Sequence, residues 1–129
     1  MNKEKLKEKY IKYELTQEDV FKHQHYLIIT RSGIEKIQAK EGIKINYNVV
    51  KCEPNFAAVS AFASFGEDEP VIQTFGSALK GISFKDGNTN SHYVLEMAEK
   101  RALSRAVLKL TGFYELGVFG EDESEEFKK

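Results

Sequence analysis

SHYVLEMAEKRALSRAVLKLTG, residues 91–112, reads as one long amphipathic helix on which the rest of the chain can pack. Its apolar spacing is helical, Ser91 stands where an N-cap is expected, and Gly112 stands where a helix stops. Arg101, Arg105 and Lys109 recur at i, i+4 and i+8, so on a helix they form one continuous basic stripe. Leu95, Leu103, Ala106, Val107 and Leu110 gather on roughly the opposite side, where a core would lie. Met97 and Leu108 give the helix a second apolar edge, which needs a second covering surface. A neighbouring copy of the chain is the expected cover, with a long loop of the same chain as the alternative. The stripe itself has two uses: an ordinary solvated face, in the company of Glu96 and Glu99, or a seat for a polyanion.

Upstream, the period changes from 3.6 to 2. Ile43, Ile45, Tyr47 and Val49 alternate with Lys44, Asn46 and Asn48, the pattern of a half-buried strand. Pro54-Asn55 reads as a turn, AAVSAFASF (57–65) as a second strand, and the polar loop 66–70 leads into VIQTFGSAL (71–79) as a third. Asp86 to Asn90 is a second loop before the long helix. Further back, YLII (26–29) precedes Thr30 as an N-cap, a helix from Arg31 to Glu41, and Gly42 as its left-handed stop. Thr16 and Asp19 resemble a helix start giving a short turn through Lys22. Residues 2–12 alternate Lys and Glu around Leu6, Tyr10 and Ile11. That apolar edge is narrow, so an arm that docks on a neighbour, or is partly disordered, is expected.

The predicted fold is α+β: a helix, a three-stranded antiparallel sheet and a long helix packed on it (a β-β-β-α core), with a short N-terminal helical arm. The predicted divisions are an arm and turn over 1–24, a core over 25–117 and an acidic tail over 118–129.

Apolar residues make up 41% of the 129, enough for one domain to bury a core without metal or disulfide. The single cysteine, Cys52, excludes an internal disulfide and is expected to be a small buried hydrophobe. No stretch reaches membrane-spanning length and no signal-peptide pattern is present, so a soluble, cytoplasmic protein with no membrane partner is expected. Net charge is −1, yet residues 113–129 hold six acidic and two basic side chains, leaving the body weakly basic. Such a tail is either a solubilising end or a device that competes for a basic groove or recruits a host or phage protein.

Catalysis needs a constellation, and the sequence offers none: no phosphate-cradling Gly-x-x-x-x-Gly-Lys, no Gly-x-Gly-x-x-Gly, no Gly-x-Ser-x-Gly. His23 and His25 share one face of a strand but lack a third metal ligand. His92 reads as a helix-end group. The acidic run 67–69 reads as a hairpin loop, although paired carboxylates there offer a divalent ion a weak seat. No enzyme, no cofactor and no metal site are expected.

Three passages resemble the DNA-binding core of the single-strand-annealing proteins, the family of the Rad fifty-two type and the phage Sak type. YLIITRSGIEKIQAKEG (26–42) is similar to the family's strand leading into an arginine-started helix closed by glycine. AAVSAFASFGEDEPVIQTFGSALKG (57–81) is similar to its two long strands, and LEMAEKRALSRAVLKLTG (95–112) to its Ala-rich basic helix. The resemblance implies a homo-oligomeric ring or filament, with single-stranded DNA in a groove lined by basic side chains. It carries Arg31 and Arg105 onto groove positions, and Lys109 onto a basic position where the family often has Arg. Arg101 is included on the helical stripe alone; Lys80 completes the predicted DNA-binding set. Tyr47, Phe75 and Tyr93 are candidate stacking platforms. The function implied is single-stranded DNA binding and ATP-independent strand annealing in recombination and repair. The alternative is an oligomeric interaction or regulatory module of a phage or mobile element. A reader of double-stranded RNA shape also suits three strands and a long helix.

Overall fold

A computed structural model of the chain describes residues 2–23, 26–66, 71–81 and 93–121. The sequence periods become α1 (Asn2–Lys12), β1 (Val20–His23), β2 (Tyr26–Ile29), α2 (Arg31–Glu41), β3 (Lys44–Glu53), β4 (Phe56–Ser64), β5 (Ile72–Leu79), α3 (Val94–Leu110), a 3-10 turn (Tyr114–Leu116) and β6 (Val118–Gly120). The class is α+β, with the long helix packed on a three-stranded antiparallel sheet ordered β3-β4-β5.

Small residues set how closely that helix approaches. Ala57, Val59, Ala61 and Ala63 alternate along β4 and are buried on the side that faces α3. Their short side chains leave room for the helix backbone, and at Gly76 of β5 the approach is closest. A Cβ added there would lie 2.2 Å from the Ala98 carbonyl oxygen and 2.5 Å from the Ala102 nitrogen. One residue pair further along the same strand face, the Thr74 hydroxyl donates to the Ala102 carbonyl at 2.8 Å. Beyond the expected Val49, β3 runs on to Glu53 through a bulge between Val49 and Lys51.

The second apolar edge of α3 is covered by the chain itself. A second sheet, ordered β1-β2-β6, lies on that side, with β1 antiparallel and β6 parallel to β2. Gly120 of β6 sits against the helix: an added Cβ would meet the Ser104 Cβ at 2.7 Å and the Leu108 Cδ1 at 3.8 Å. Leu108 is completely buried and Met97 packs half-buried against the core, so neither is a surface awaiting a neighbour. The long helix is therefore the middle of three layers. Two elements of this second sheet differ from expectation. Residues 20–23 form a strand where a turn through Lys22 was expected, and residues 118–120 form a strand where the tail was expected to begin. Strands of four and three residues are too short to show a period.

Nor is α1 a detached arm. Leu6 and Tyr13 belong to the core, and Tyr10 and Tyr13 pack against the Phe113 ring at 6.5 and 6.0 Å between centroids. The Tyr13 hydroxyl donates to Glu41 Oε1 at 2.6 Å, Lys12 pairs with the same carboxylate at 2.9 Å, and Lys9 Nζ donates to the Thr111 carbonyl at the end of α3. Burial would push the Tyr13 phenol up, and the Glu41 carboxylate adds to that shift.

The caps on α2 fall as the sequence reads. The Thr30 hydroxyl accepts from the Gly33 N–H, and Gly42 closes the helix at φ 63°. Helix α3 instead begins at Val94, with Tyr93 at the cap position and no side-chain cap. Ser91, the loop 86–90, the acidic run 67–69, His25, His92, the His23 side chain and the tail beyond Glu121 lie outside the described residues.

Candidate nucleic-acid interface

The basic stripe of α3 divides between interior and surface. Arg101 is fully buried, and its Nη1 donates to the Ser77 carbonyl at 2.7 Å. Arg105 is half-buried and donates from Nη1 to the Phe75 carbonyl at 2.7 Å. Four residues of helix advance about 6 Å and two residues of strand about 7 Å, so an i, i+4 arginine pair matches alternate carbonyls of a strand running alongside. The two arginines thus clip α3 to β5, which is an edge of its sheet among the described residues. The expected DNA-binding role of Arg101 is corrected on this ground: a guanidinium without solvent exposure, bonded to a strand carbonyl, is a structural clip. Lys109, a turn beyond Arg105, is exposed, and Lys80 stands just past the end of β5, with its backbone N–H donating to the Asn55 carbonyl at 2.7 Å.

Arg31 lies elsewhere. It opens α2, and its charge reaches the Tyr47 phenol on β3, the opposite outer strand. Tyr47 is pushed up by partial burial first and by Glu99 next, with Arg31 opposing. The guanidinium Nε lies 3.2 Å from Glu35 Oε1, and Nη1 is buried without a hydrogen-bond partner. The Arg31 backbone N–H, at the N-terminus of α2 where free N–H groups favour an anion, donates to Glu121 Oε1 at 3.2 Å. The first carboxylate of the acidic tail already stands there. Arg31 thus stands at the start of α2 beside Glu121, whereas Arg105 is held on the β5 edge.

The face of the main sheet turned away from α3 holds what the sequence reading missed. Strand alternation places Phe62 of β4 and Phe75 and Leu79 of β5 on this side, and among the described residues the two rings remain 37% and 53% exposed. Phe62 pairs with Gln73 and Phe75 with Ser60, so the rings are diagonal neighbours on one face. Phe75 was a candidate platform from sequence. The signal for Phe62 was available, since it falls in the polar phase of 57–65. Of the other candidates, Tyr93 is exposed at the start of α3, and Tyr47 overhangs the opposite edge. Cys52 is exposed rather than buried, because it sits on the outer strand β3.

No cluster of metal-ligating side chains occurs among the described residues, and no helix there is long and apolar enough to cross a membrane. Compared with protein families, curated proteins and solved structures, the chain has no match.

Proposed function

We propose that this chain is a cytoplasmic single-stranded DNA-binding protein that anneals complementary strands without ATP or another cofactor. One observation carries the proposal: Arg105 is held on the β5 edge, with Lys109 exposed a turn further along α3, beside a sheet face that exposes aromatic rings. Phosphates attract the basic edge, and rings accept unpaired bases but not stacked pairs, a combination that favours a single strand over duplex. Assembly into a ring or filament is part of the proposal through the family resemblance alone, now that the helix edge at Leu108 is accounted for within the chain.

The test is a titration of a labelled oligothymidine and of a duplex of equal length across rising salt, followed by an annealing assay with two complementary strands and no nucleotide. Tighter binding to the single strand, with affinity falling linearly in log salt, and accelerated annealing are expected. Equal or tighter binding to duplex, or salt-independent binding, would reject the proposal and favour the interaction-module alternative.

A further inference from the structure

We infer that the outer face of the β3-β4-β5 sheet is the base-binding surface of this chain, with Phe62 and Phe75 stacking neighbouring bases of one DNA strand. The inference rests on the proposed single-strand binding and names the site where the bases lie. Both rings stand on the face that no described element covers, and they are diagonal neighbours across β4 and β5, about 7 Å apart by sheet geometry. That spacing suits consecutive bases of an extended strand.

Three features favour a polynucleotide over a second copy of the chain. The charges borne by the three strands on this face are Lys44, Lys51 and Glu53, and the one carboxylate among them is already paired with Lys51 at 3.2 Å. A polyanion crossing the face thus meets no unneutralised acid. The rings alternate with exposed Asn46, Asn48 and Gln73, whose amides can bond base edges but would be costly to bury in a dry protein contact. Finally, the Arg105 guanidinium is held 2.7 Å from the carbonyl of Phe75 itself, which sets a positive charge beside one of the two platforms. A base on the Phe75 ring would carry its phosphate toward that charge.

The chain contains no tryptophan, so a ring replacement doubles as a probe. In the full chain, Phe62→Trp and Phe75→Trp should each fold, bind oligothymidine about as tightly as wild type, and lose indole fluorescence on binding as a base stacks on the ring. Phe62→Leu and Phe75→Leu keep apolar bulk but remove the π-face. Each should weaken binding about tenfold while leaving the slope of log affinity against log salt unchanged, because stacking releases no counterions. Far-UV circular dichroism confirms folding, and both positions are exposed enough to tolerate the exchange. If wild type binds single strands but the leucine variants bind equally well and the tryptophans are not quenched, the inference fails and the proposed function stands. If wild type does not bind single strands, both fail. If the leucine variants lower the mass seen by light scattering while DNA affinity is kept, the face belongs to a second copy and the inference is overturned.

Discussion

Replacing Gly76 by alanine tests the tightest contact of the fold. The added methyl carbon would lie 2.2 Å from the Ala98 carbonyl oxygen, 2.5 Å from the Ala102 nitrogen and 3.0 Å from the Arg101 Cβ. Ordinary carbon–oxygen contact is above about 3.2 Å, so a separation of roughly 1 Å must open between β5 and α3. Two of the three obstacles are helix backbone, which cannot rotate aside as a side-chain tip does. The helix is also held from behind by β6, where a Cβ on Gly120 would lie 2.7 Å from the Ser104 Cβ. A retreat of that size forfeits a quarter to a half of the dispersion energy along the contact and stretches the Thr74 and Arg101 hydrogen bonds. Overpacking of a core costs about 1–3 kcal/mol, and a backbone-to-backbone clash belongs at the upper end, about 3 kcal/mol. For a domain of this size that lowers Tm by about 10 °C. In urea, followed by circular dichroism, the midpoint should fall by about 1–3 M. Gly42→Ala is the internal control: nothing lies within 4 Å of its Cβ, and only the strain of φ 63° acts, at about 1 kcal/mol. A Gly76→Ala protein within about 0.5 kcal/mol of wild type would refute the close approach described for α3 and β5.

Arg101→Ala should destabilise by about 3 kcal/mol in the same assay, since it empties a buried site and strips the Ser77 carbonyl of its donor, whereas exposed Lys109→Ala should stay within about 0.5 kcal/mol. Burial alone would raise the Asp19 carboxyl, but hydrogen bonds from Lys36, the Thr16 N–H, Ser32 and the Thr16 hydroxyl outweigh it and hold the group well below the usual carboxylate range. A depressed folded-state pKa contributes stability above the unfolded value of about 3.9 and loses it as pH falls, so Asp19→Asn should cost about 2 kcal/mol at pH 7 and clearly less at pH 3. An undiminished gap at the lower pH would contradict that network. For DNA, Arg105→Ala should reduce the slope of log affinity against log salt by about 0.7, while Arg31→Ala should leave it unchanged, because the Arg31 side chain is paired with Glu35 and its backbone N–H is taken by Glu121. Equal effects of the two substitutions in a salt titration would return them to one groove.

The elements with room for several turns of their period were legible. The alternation over 43–49 and 57–65 marks β3 and β4. The Thr30 and Gly42 caps define α2 because cap chemistry is local. What escaped is what depends on partners distant in sequence. Neither β1 nor β6 shows a pattern of its own, and each exists through pairing with β2. The helix α3 shows why Arg101 was misplaced although the helix itself was legible from its period. A wheel drawn for Arg101, Arg105 and Lys109 finds a basic stripe, but it does not know that a strand edge runs beneath the first two. Leu108 was set apart for a neighbour because the strand that covers it, β6, was read as the start of the tail. Phe62 was overlooked although its phase placed it off the core, because an aromatic ring in a strand is usually assigned to the interior.

The parallel pairing of β2 with β6 joins Leu27 to Val118 and Ile29 to Gly120, across most of the chain. During synthesis, the β1–β2 hairpin and α2 emerge long before the strand that finishes their sheet, and until residue 120 is available Ile28 and Ile29 have an open edge beside them. Closing so large a loop is slow relative to forming the β3-β4-β5 meander, whose partners are near neighbours. The order of assembly follows: the meander and α3 form first, and the second sheet locks onto the back of the helix last. A nascent chain stalled before β6 would display that unfinished edge to any other strand within reach.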